Sequence, residues 1–237
     1  MPVSSGSVVV ITGTSRGLGL QLAELFIAAG NLVFGCSRSA SALEDASYHH
    51  TRLDVADDGQ VRSWIRSVRK EAGRIDLLVC NAGNVESVLP LTMTPADVVE
   101  SYLHSGVAGT FYVCREVGKV MALQRSGRIV AVSSIMTRLH EPGTSIYAAS
   151  KSAIEEMLRV LARELAEANV TCNIVAPGLV STGASASFGE EWRERMLKLQ
   201  TIRKAVTAEE IFHTVSYFAS PHASTVTGQT LYMGLVN

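Results

Sequence analysis

Short β-branched runs alternate along this 237-residue chain with longer helical segments, and the alternation predicts an α/β fold: a seven-stranded, mostly parallel sheet with helices on both faces. Two observations carry the prediction. The strand segments are almost continuously apolar, as expected of strands covered on both faces rather than one. The intervals between them are long enough for crossover helices, which parallel pairing requires.

Taken in order, Val8 to Thr12, Leu32 to Cys36, His50 to Leu53, Leu77 to Cys80, Ile129 to Ser133 and Val170 to Val175 read as strands, with a short last one at Thr230 to Met233. Crossover helices fit Leu18 to Ala29, Asp57 to Ala72, Ala108 to Leu123 and Ser150 to Ala168, and a further helix fits Ala208 to Ala219. No repeat, low-complexity tract or Pro- or Gly-rich linker interrupts the pattern, so residues 1–237 are expected to form one domain. One stretch breaks the rhythm: about thirty residues separate Pro177 from the helix near Thr207, opening with the small, polar Ser181 to Ser187 and continuing through the amphipathic Glu190 to Leu199. So long an excursion is usually functional, and it reads as a lid over a ligand at about residues 183–206, with a surface helix or a subunit contact as the alternative.

Composition narrows the function classes. With 47% hydrophobic and 18% charged residues the chain is of the soluble globular type rather than disordered or membrane-spanning. Its 21 Lys+Arg are matched by 22 Asp+Glu, without the basic excess that phosphate-backbone binding needs, so no nucleic-acid partner is expected. Met1 to Gly6 run into an apolar strand without a basic flank, no signal peptide is expected, and Cys36, Cys80, Cys114 and Cys172 lack pairing spacings. These features point to buried free thiols in a reducing compartment, the cytoplasm. His49 and His50 are adjacent but have no partners at ligand spacing, so no metal is expected.

A glycine-rich turn follows the first strand directly: Gly13, Thr14, Ser15, Arg16, Gly17, Leu18, Gly19, opening an amphipathic helix. Glycines there let the main chain approach a pyrophosphate, whose charge the helix N-terminus attracts. The order departs from G-x-G-x-x-G, because the wide gap precedes the narrow one. A dinucleotide with a free ribose hydroxyl is usually held by an acidic residue after the second strand, and Cys36, Ser37, Arg38 offer none. Arg16 and Arg38 instead flank the position of a 2′-phosphate, favouring NADP(H); the alternative is two solvated surface arginines.

Tyr147 and Lys151 lie at i and i+4 of a helical segment, on one face. A phenol with a reference pKa of about 10 exchanges protons poorly at neutral pH, and a neighbouring ammonium stabilises its phenolate. Ser134, at the end of the fifth strand, can reach the same substrate oxygen.

Thr12 to Gly19 (TGTSRGLG), Asn81-Ala82-Gly83, Ser134, Tyr147-x-x-x-Lys151 and Pro177-Gly178 together resemble, in order and spacing, the classical short-chain dehydrogenase/reductase family, and Gly127 to Thr182 is most similar to the 3-oxoacyl-(acyl carrier protein) reductase branch. The resemblance implies a Rossmann-type doubly wound sandwich. It implies that Asn81, Ala82 and Gly83 line the cofactor, that Asp54 and the backbone of Val55 hold adenine, and that Pro177, Gly178, Val180 and Thr182 embrace the nicotinamide end, with Tyr147 and Lys151 also touching cofactor. Ser134 would polarise a carbonyl and Tyr147 would protonate the nascent alkoxide with Lys151 assisting. It further implies a homodimer or homotetramer, paired through the helices Ala108 to Leu123 and Ser150 to Ala168.

Two positions depart from the family. Its usual N-x-x-G-x-F reads Gly106, Val107, Ala108, Gly109, Thr110, Phe111, so the customary catalytic Asn is a Gly; its side chain normally supports a helix distortion and its carbonyl a proton-carrying water. A Gly keeps the carbonyl and tolerates distortion, and His104 or Ser105 are possible substitutes. Tyr232, Met233, Gly234, Leu235 replace a customary D-G-G or N-G-G turn. Met136, Leu139 and His140, with Phe188, Trp192 and Met196 of the lid, describe an apolar substrate pocket, and Arg125, Arg128 and Arg138 are available to dock an acidic carrier. Three readings result: an NADPH-dependent reductase of 3-oxoacyl thioesters, polyketides or similar apolar ketones; an NADP-dependent alcohol or hydroxysteroid-type dehydrogenase; and a non-catalytic NADP-binding subunit, for which Gly106 is the argument.

Overall fold

The computed structural model describes residues 5–83, 88–181 and 189–236. The continuous apolar runs become one seven-stranded sheet, β1 (Val8–Thr12), β2 (Leu32–Ser37), β3 (Tyr48–Arg52), β4 (Leu77–Cys80), β5 (Gly127–Val132), β6 (Val170–Pro177) and β7 (Thr230–Met233), in the order β3-β2-β1-β4-β5-β6-β7. Every pairing is parallel, so the sheet is more uniform than the expected mostly parallel one.

The two faces of the sheet carry separate cores, because successive strand residues point to opposite sides. Val8 and Val10 of β1 pack with α2 (Asp58–Ala72), α4 (Gly109–Gln124) and α6 (Ser145–Glu164). Val9 and Ile11 pack with α1 (Gly17–Ala28) and α8 (Ala208–Ala219), where Phe26 and Phe212 meet edge to face at 4.9 Å. Helix α2 shows why the sequence pattern was readable: Val61, Trp64, Ile65 and Val68 fall on one face, Asp57 caps the first turn by accepting from Gln60 N at 3.0 Å, and Gly73 ends the helix at φ 75°.

Three boundary differences bear on the site. Strand β3 starts at Tyr48 rather than His50, because Val33 pairs with Tyr48 and Phe34 with His49, drawing a polar run into the ladder. Helix α6 starts at Ser145, so Tyr147 and Lys151 lie inside it, and it ends at Glu164 before a short 3-10 turn closed by Asn169 at φ 56°. The helix expected from Ala108 extends far upstream: α3 (Ala96–Ser101) continues through a π-helical segment, Tyr102–Ala108, into α4. The remaining helices are the short α5 (Met136–Leu139) and α7 (Glu190–Leu199). Among the described residues no helix is long and apolar enough to cross a membrane, and all four cysteines are buried and free.

Candidate active site

Strand order reverses direction between β1 and β4, and an open parallel sheet offers its ligand crevice at such a switch point, beyond the carboxyl ends of the strands. The glycine-rich turn leaving β1 and Asn81-Ala82-Gly83 leaving β4 meet there. Thr12 clasps them: its Oγ1 accepts from the backbone N–H of Asn81 at 3.0 Å and of Ala82 at 2.9 Å, while Asn81 Nδ2 donates back to the Thr12 carbonyl at 3.0 Å. Thr12→Val keeps the shape but strands two N–H groups, so a loss of about 2 to 4 kcal/mol is expected, read as a lowered midpoint in denaturant. Gly19 allows the close approach of α1, since a Cβ there would lie 2.1 Å from the Gly13 carbonyl oxygen and 2.5 Å from Asn81 Nδ2.

The turn suits a pyrophosphate. Arg16 stands at the N-cap of α1 without a side-chain cap, and the first turn holds no acidic residue, so its amides and dipole face an anion uncompensated. The Thr14 side chain points elsewhere: buried, it accepts from Tyr48 Oη at 2.8 Å. At the ends of β2 and β3, Ser37 Oγ lies 2.7 Å from His50 Nε2, and the Arg38 side chain is exposed. Arg52, level with Ser37 in the ladder, donates from Nε to the Arg38 carbonyl at 3.4 Å. Arg52 adds a cation beside Arg38, and sequence reasoning missed it because only strand register brings it there. Asp54 lies at the exit of β3, one carboxylate oxygen accepting from Ala56 N at 2.9 Å, and Val55 is buried beside Gly109 of α4.

Helix α6 brings Tyr147 and Lys151 under the end of β5. Lys151 is buried; its Nζ donates to the Val132 carbonyl at 2.8 Å and lies 6.0 Å from the centroid of the Tyr147 ring. Gly83 is so close that a Cβ there would stand 3.6 Å from this ammonium, which joins the cofactor crevice to the tyrosine. Burial pushes the Lys151 ammonium down to about 8, opposed by its electrostatic interactions with Cys80 and Glu155. Burial raises Tyr147 above its ordinary phenol value, a hydrogen bond with Ser134 opposes this, and Tyr102 adds to the rise. Ser134 is buried and its Oγ accepts from Met136 N at 3.2 Å, leaving its own proton to donate. Ile135 N donates to the Pro177 carbonyl at 3.1 Å and Gly178 N to Met233 O at 3.0 Å, which sets Pro177 and Gly178 beside the serine.

Gly106 lies within the π-helical segment, so the helix distortion is present without the asparagine side chain. Its carbonyl accepts from Thr110 Oγ1 at 2.6 Å, and a Cβ there would meet nothing nearer than Ser150 Cβ at 3.9 Å. His104 is exposed. The same segment turns the buried Tyr102 edge-on to Tyr147, with centroids 6.0 Å apart, a neighbour no spacing rule reveals.

Around the substrate side, Met136 and Met196 are buried, whereas His140 is exposed at φ 50° as the C-cap of α5. Thr182 and residues 183–188, Phe188 among them, lie outside the described residues. The excursion leaves and returns at one point: Val180 bridges Val206, Ser181 N donates to Val206 O at 3.1 Å, and Val206 N to Leu179 O at 2.8 Å. Buried Gln200 fastens its base, accepting from Leu179 N at 2.6 Å and donating to the carbonyls of Ile202 and Lys204 at 2.9 Å. Arg195 of α7 pairs with Glu141 in the segment before Tyr147. The three candidate docking arginines do not form one patch: Arg125 and Arg128 flank the start of β5 and bond the carbonyls of Glu167 and Asn169, whereas Arg138 lies beyond its far end, about 20 Å away along the strand.

Comparison with known proteins gives the family. The family profile described as enoyl-(acyl carrier protein) reductase matches residues 13–234. The chain is 32% identical over 237 residues to the 3-oxoacyl-[acyl-carrier-protein] reductase FabG of Escherichia coli (strain K12), covering 96% of both proteins. It is 30% identical over 234 residues to FabG of Salmonella typhimurium, again over 96% of both, and 32% identical over 241 residues to the 2-(R)-hydroxypropyl-CoM dehydrogenase of Xanthobacter autotrophicus, over 95% of this chain and 96% of that one. With the glycine-rich turn and the Asn81 segment at the switch point and Ser134, Tyr147 and Lys151 at the end of β5, the chain belongs to the short-chain dehydrogenase/reductase family of oxidoreductases, close to the 3-oxoacyl-(acyl carrier protein) reductases.

Proposed function

We propose that this protein is an NADPH-dependent carbonyl reductase acting on a 3-oxoacyl thioester, a polyketide or a similar apolar ketone, with Tyr147 as the proton donor. The observation that carries the reading is the convergence of Tyr147, Ser134 and the buried Lys151 ammonium where β5 opens into the crevice. Bound there, the nicotinamide cofactor supplies the hydride. The remaining chemistry belongs to this chain. Ser134 donates a hydrogen bond to the substrate oxygen, Tyr147 transfers its phenolic proton as negative charge develops on that oxygen, and Lys151 stabilises the resulting phenolate. Gly13 to Gly19 hold the pyrophosphate, Asp54 and Val55 the adenine, Asn81, Ala82 and Gly83 the middle of the cofactor, and Pro177, Gly178, Val180 and Thr182 the nicotinamide end. Arg16, Ser37 and Arg38, joined by Arg52, favour a 2′-phosphate, because residues 36–43 contain no carboxylate to receive a free ribose hydroxyl.

The excursion at about 183–206 covers the substrate, a reading supported by its pinned base and the Arg195–Glu141 pair. Leu103, Phe111, Leu123 and Val160 are exposed on the π segment, α4 and α6, Leu123 to 72%, which supports pairing of these helices across subunits in a homodimer or homotetramer. The four free thiols fit the cytoplasm.

The test is oxidation of NADPH, with NADH alongside, over carrier-bound and free β-ketoacyl thioesters, free ketones and quinones. Turnover with NADPH on the β-ketoacyl substrates is expected; turnover confined to small free alcohols and ketones selects the alcohol-dehydrogenase reading, and silence throughout selects the non-catalytic subunit. Gly106 decides less than its absence of a side chain implies. The π turn is formed without the asparagine side chain, and glycine keeps the main-chain carbonyl over which the proton path is proposed to run. Gly106→Asn fits the space available and is expected to raise kcat by less than about tenfold, whereas a rise of about a thousandfold would show the native site to be crippled.

A further inference from the structure

Glu155, four residues beyond Lys151 on α6, is 3% exposed, and a carboxylate so buried survives as an anion only with a full set of donors. It has one from each of four places. Oε1 accepts from Ser133 Oγ at 2.7 Å and Thr137 Oγ1 at 3.1 Å, and Oε2 accepts from Tyr232 Oη at 3.0 Å and Arg159 Nη2 at 3.1 Å. Ser133 immediately precedes Ser134 at the exit of β5. Thr137 opens the route to the serine itself, because its single hydroxyl proton is shared between Glu155 Oε1 and the Ser134 carbonyl, 3.1 and 3.0 Å away, at the turn in which Met136 N binds Ser134 Oγ. Tyr232 stands in β7 and carries Arg138, whose Nε lies 2.9 Å from the Tyr232 hydroxyl and whose guanidinium lies 5.4 Å from the ring centroid.

We propose that Glu155 is a positioning residue for the reaction: its carboxylate fixes the β5 exit turn that aims the Ser134 hydroxyl and places a negative charge one helical turn from the Lys151 ammonium. The proposal rests on the carbonyl-reductase reading. A purely structural anchor would need no charge one helical turn from Lys151 and no bond into the serine turn. The titratable groups around Lys151 are Cys80 from β4, Tyr147 and Glu155 from its own helix, with Tyr102 of the π segment against Tyr147; those around Glu155 are Arg159, Tyr232 and, through Tyr232, Arg138. Among the described residues Glu155 is the one carboxylate in this set, and Glu156 occupies the other nitrogen of Arg159 at 3.0 Å. It also explains the unusual Tyr232 in the last strand, a donor that this buried anion uses.

Glu155→Gln and Thr137→Val test the two halves separately, each assayed beside the wild type for NADPH affinity by fluorescence, thermal midpoint, and the pH dependence of turnover. Glu155→Gln is expected to lower kcat about tenfold or more, to leave NADPH affinity within about twofold, and to move the alkaline limb of the reduction about one pH unit lower. Thr137→Val keeps the charge, so kcat should fall several-fold with the limb unmoved. An active wild type with a Glu155→Gln variant of unchanged kcat and pH profile overturns the proposal. If that variant does not fold, unchanged kcat in Thr137→Val overturns it instead. A wild type silent on every carbonyl substrate fails the functional reading itself.

Discussion

Tyr147→Phe is expected to lower kcat about a thousandfold or more while leaving the affinity for NADPH within about twofold, because it deletes a single oxygen at the proton-transfer point. The aromatic body survives: the edge-on contact with Tyr102 and the helix around it need only the ring. Ser134 loses its hydrogen-bond partner, but it keeps the Met136 amide, so the turn after β5 holds its shape. Steady-state turnover compared with fluorescence titration of NADPH checks both halves. A loss of less than about tenfold would mean that another group delivers the proton, and a parallel collapse of NADPH binding would mean that Tyr147 acts through the cofactor rather than through chemistry.

Lys151→Met carries the second large effect, and it is read through pH. Reduction needs the ammonium, so wild-type kcat/KM should fall as pH rises through about 8, the value to which burial depresses Lys151. In the methionine variant that limb disappears and kcat drops by about a hundredfold or more at neutral pH. Stability moves with the opposite sign. A lysine whose folded value lies below its unfolded 10.5 binds fewer protons when folded, so between about pH 8 and 10.5 the wild type gains stability as pH rises, about 3 kcal/mol in all, relative to the methionine variant. Denaturant titrations of both proteins at pH 7 and pH 10 would show it. Equal slopes against pH would place the lysine in a more solvated position than the 2.8 Å bond to Val132 O indicates.

The two effects are coupled in the fold. Tyr147 and Lys151 share one helix, and Ser134, Val132 and the Glu155 bonds to Ser133 and Thr137 tie that helix to the end of β5. A fault anywhere in this corner therefore reaches the proton path, while the cofactor crevice, built on the Thr12–Asn81 clasp between β1 and β4, meets this corner at Gly83 beside Lys151 but is held by its own bonds. Activity and NADPH affinity should accordingly separate in variants of the first region and fall together in variants of the second.

Local patterns in the sequence determined a good deal by themselves. Apolar strands, capped amphipathic helices and the glycine-rich turn are read from neighbours within a few residues, since burial, capping and tight turns are local demands on residue type. The i, i+4 spacing likewise puts Tyr147 and Lys151 on one helix face. Only the tertiary structure decided what depends on register and on contacts between distant segments: the start of β3 at Tyr48, Arg52 beside Arg38, the π-helical turn that brings Tyr102 to Tyr147, the division of the three arginines between opposite ends of β5, and the buried carboxylate of Glu155. A glutamate four residues after a lysine reads in sequence as an ordinary surface pair. Four donors, from the exit of β5, from α5, from β7 and from Arg159, make it a buried anion, and no one-dimensional pattern encodes their meeting.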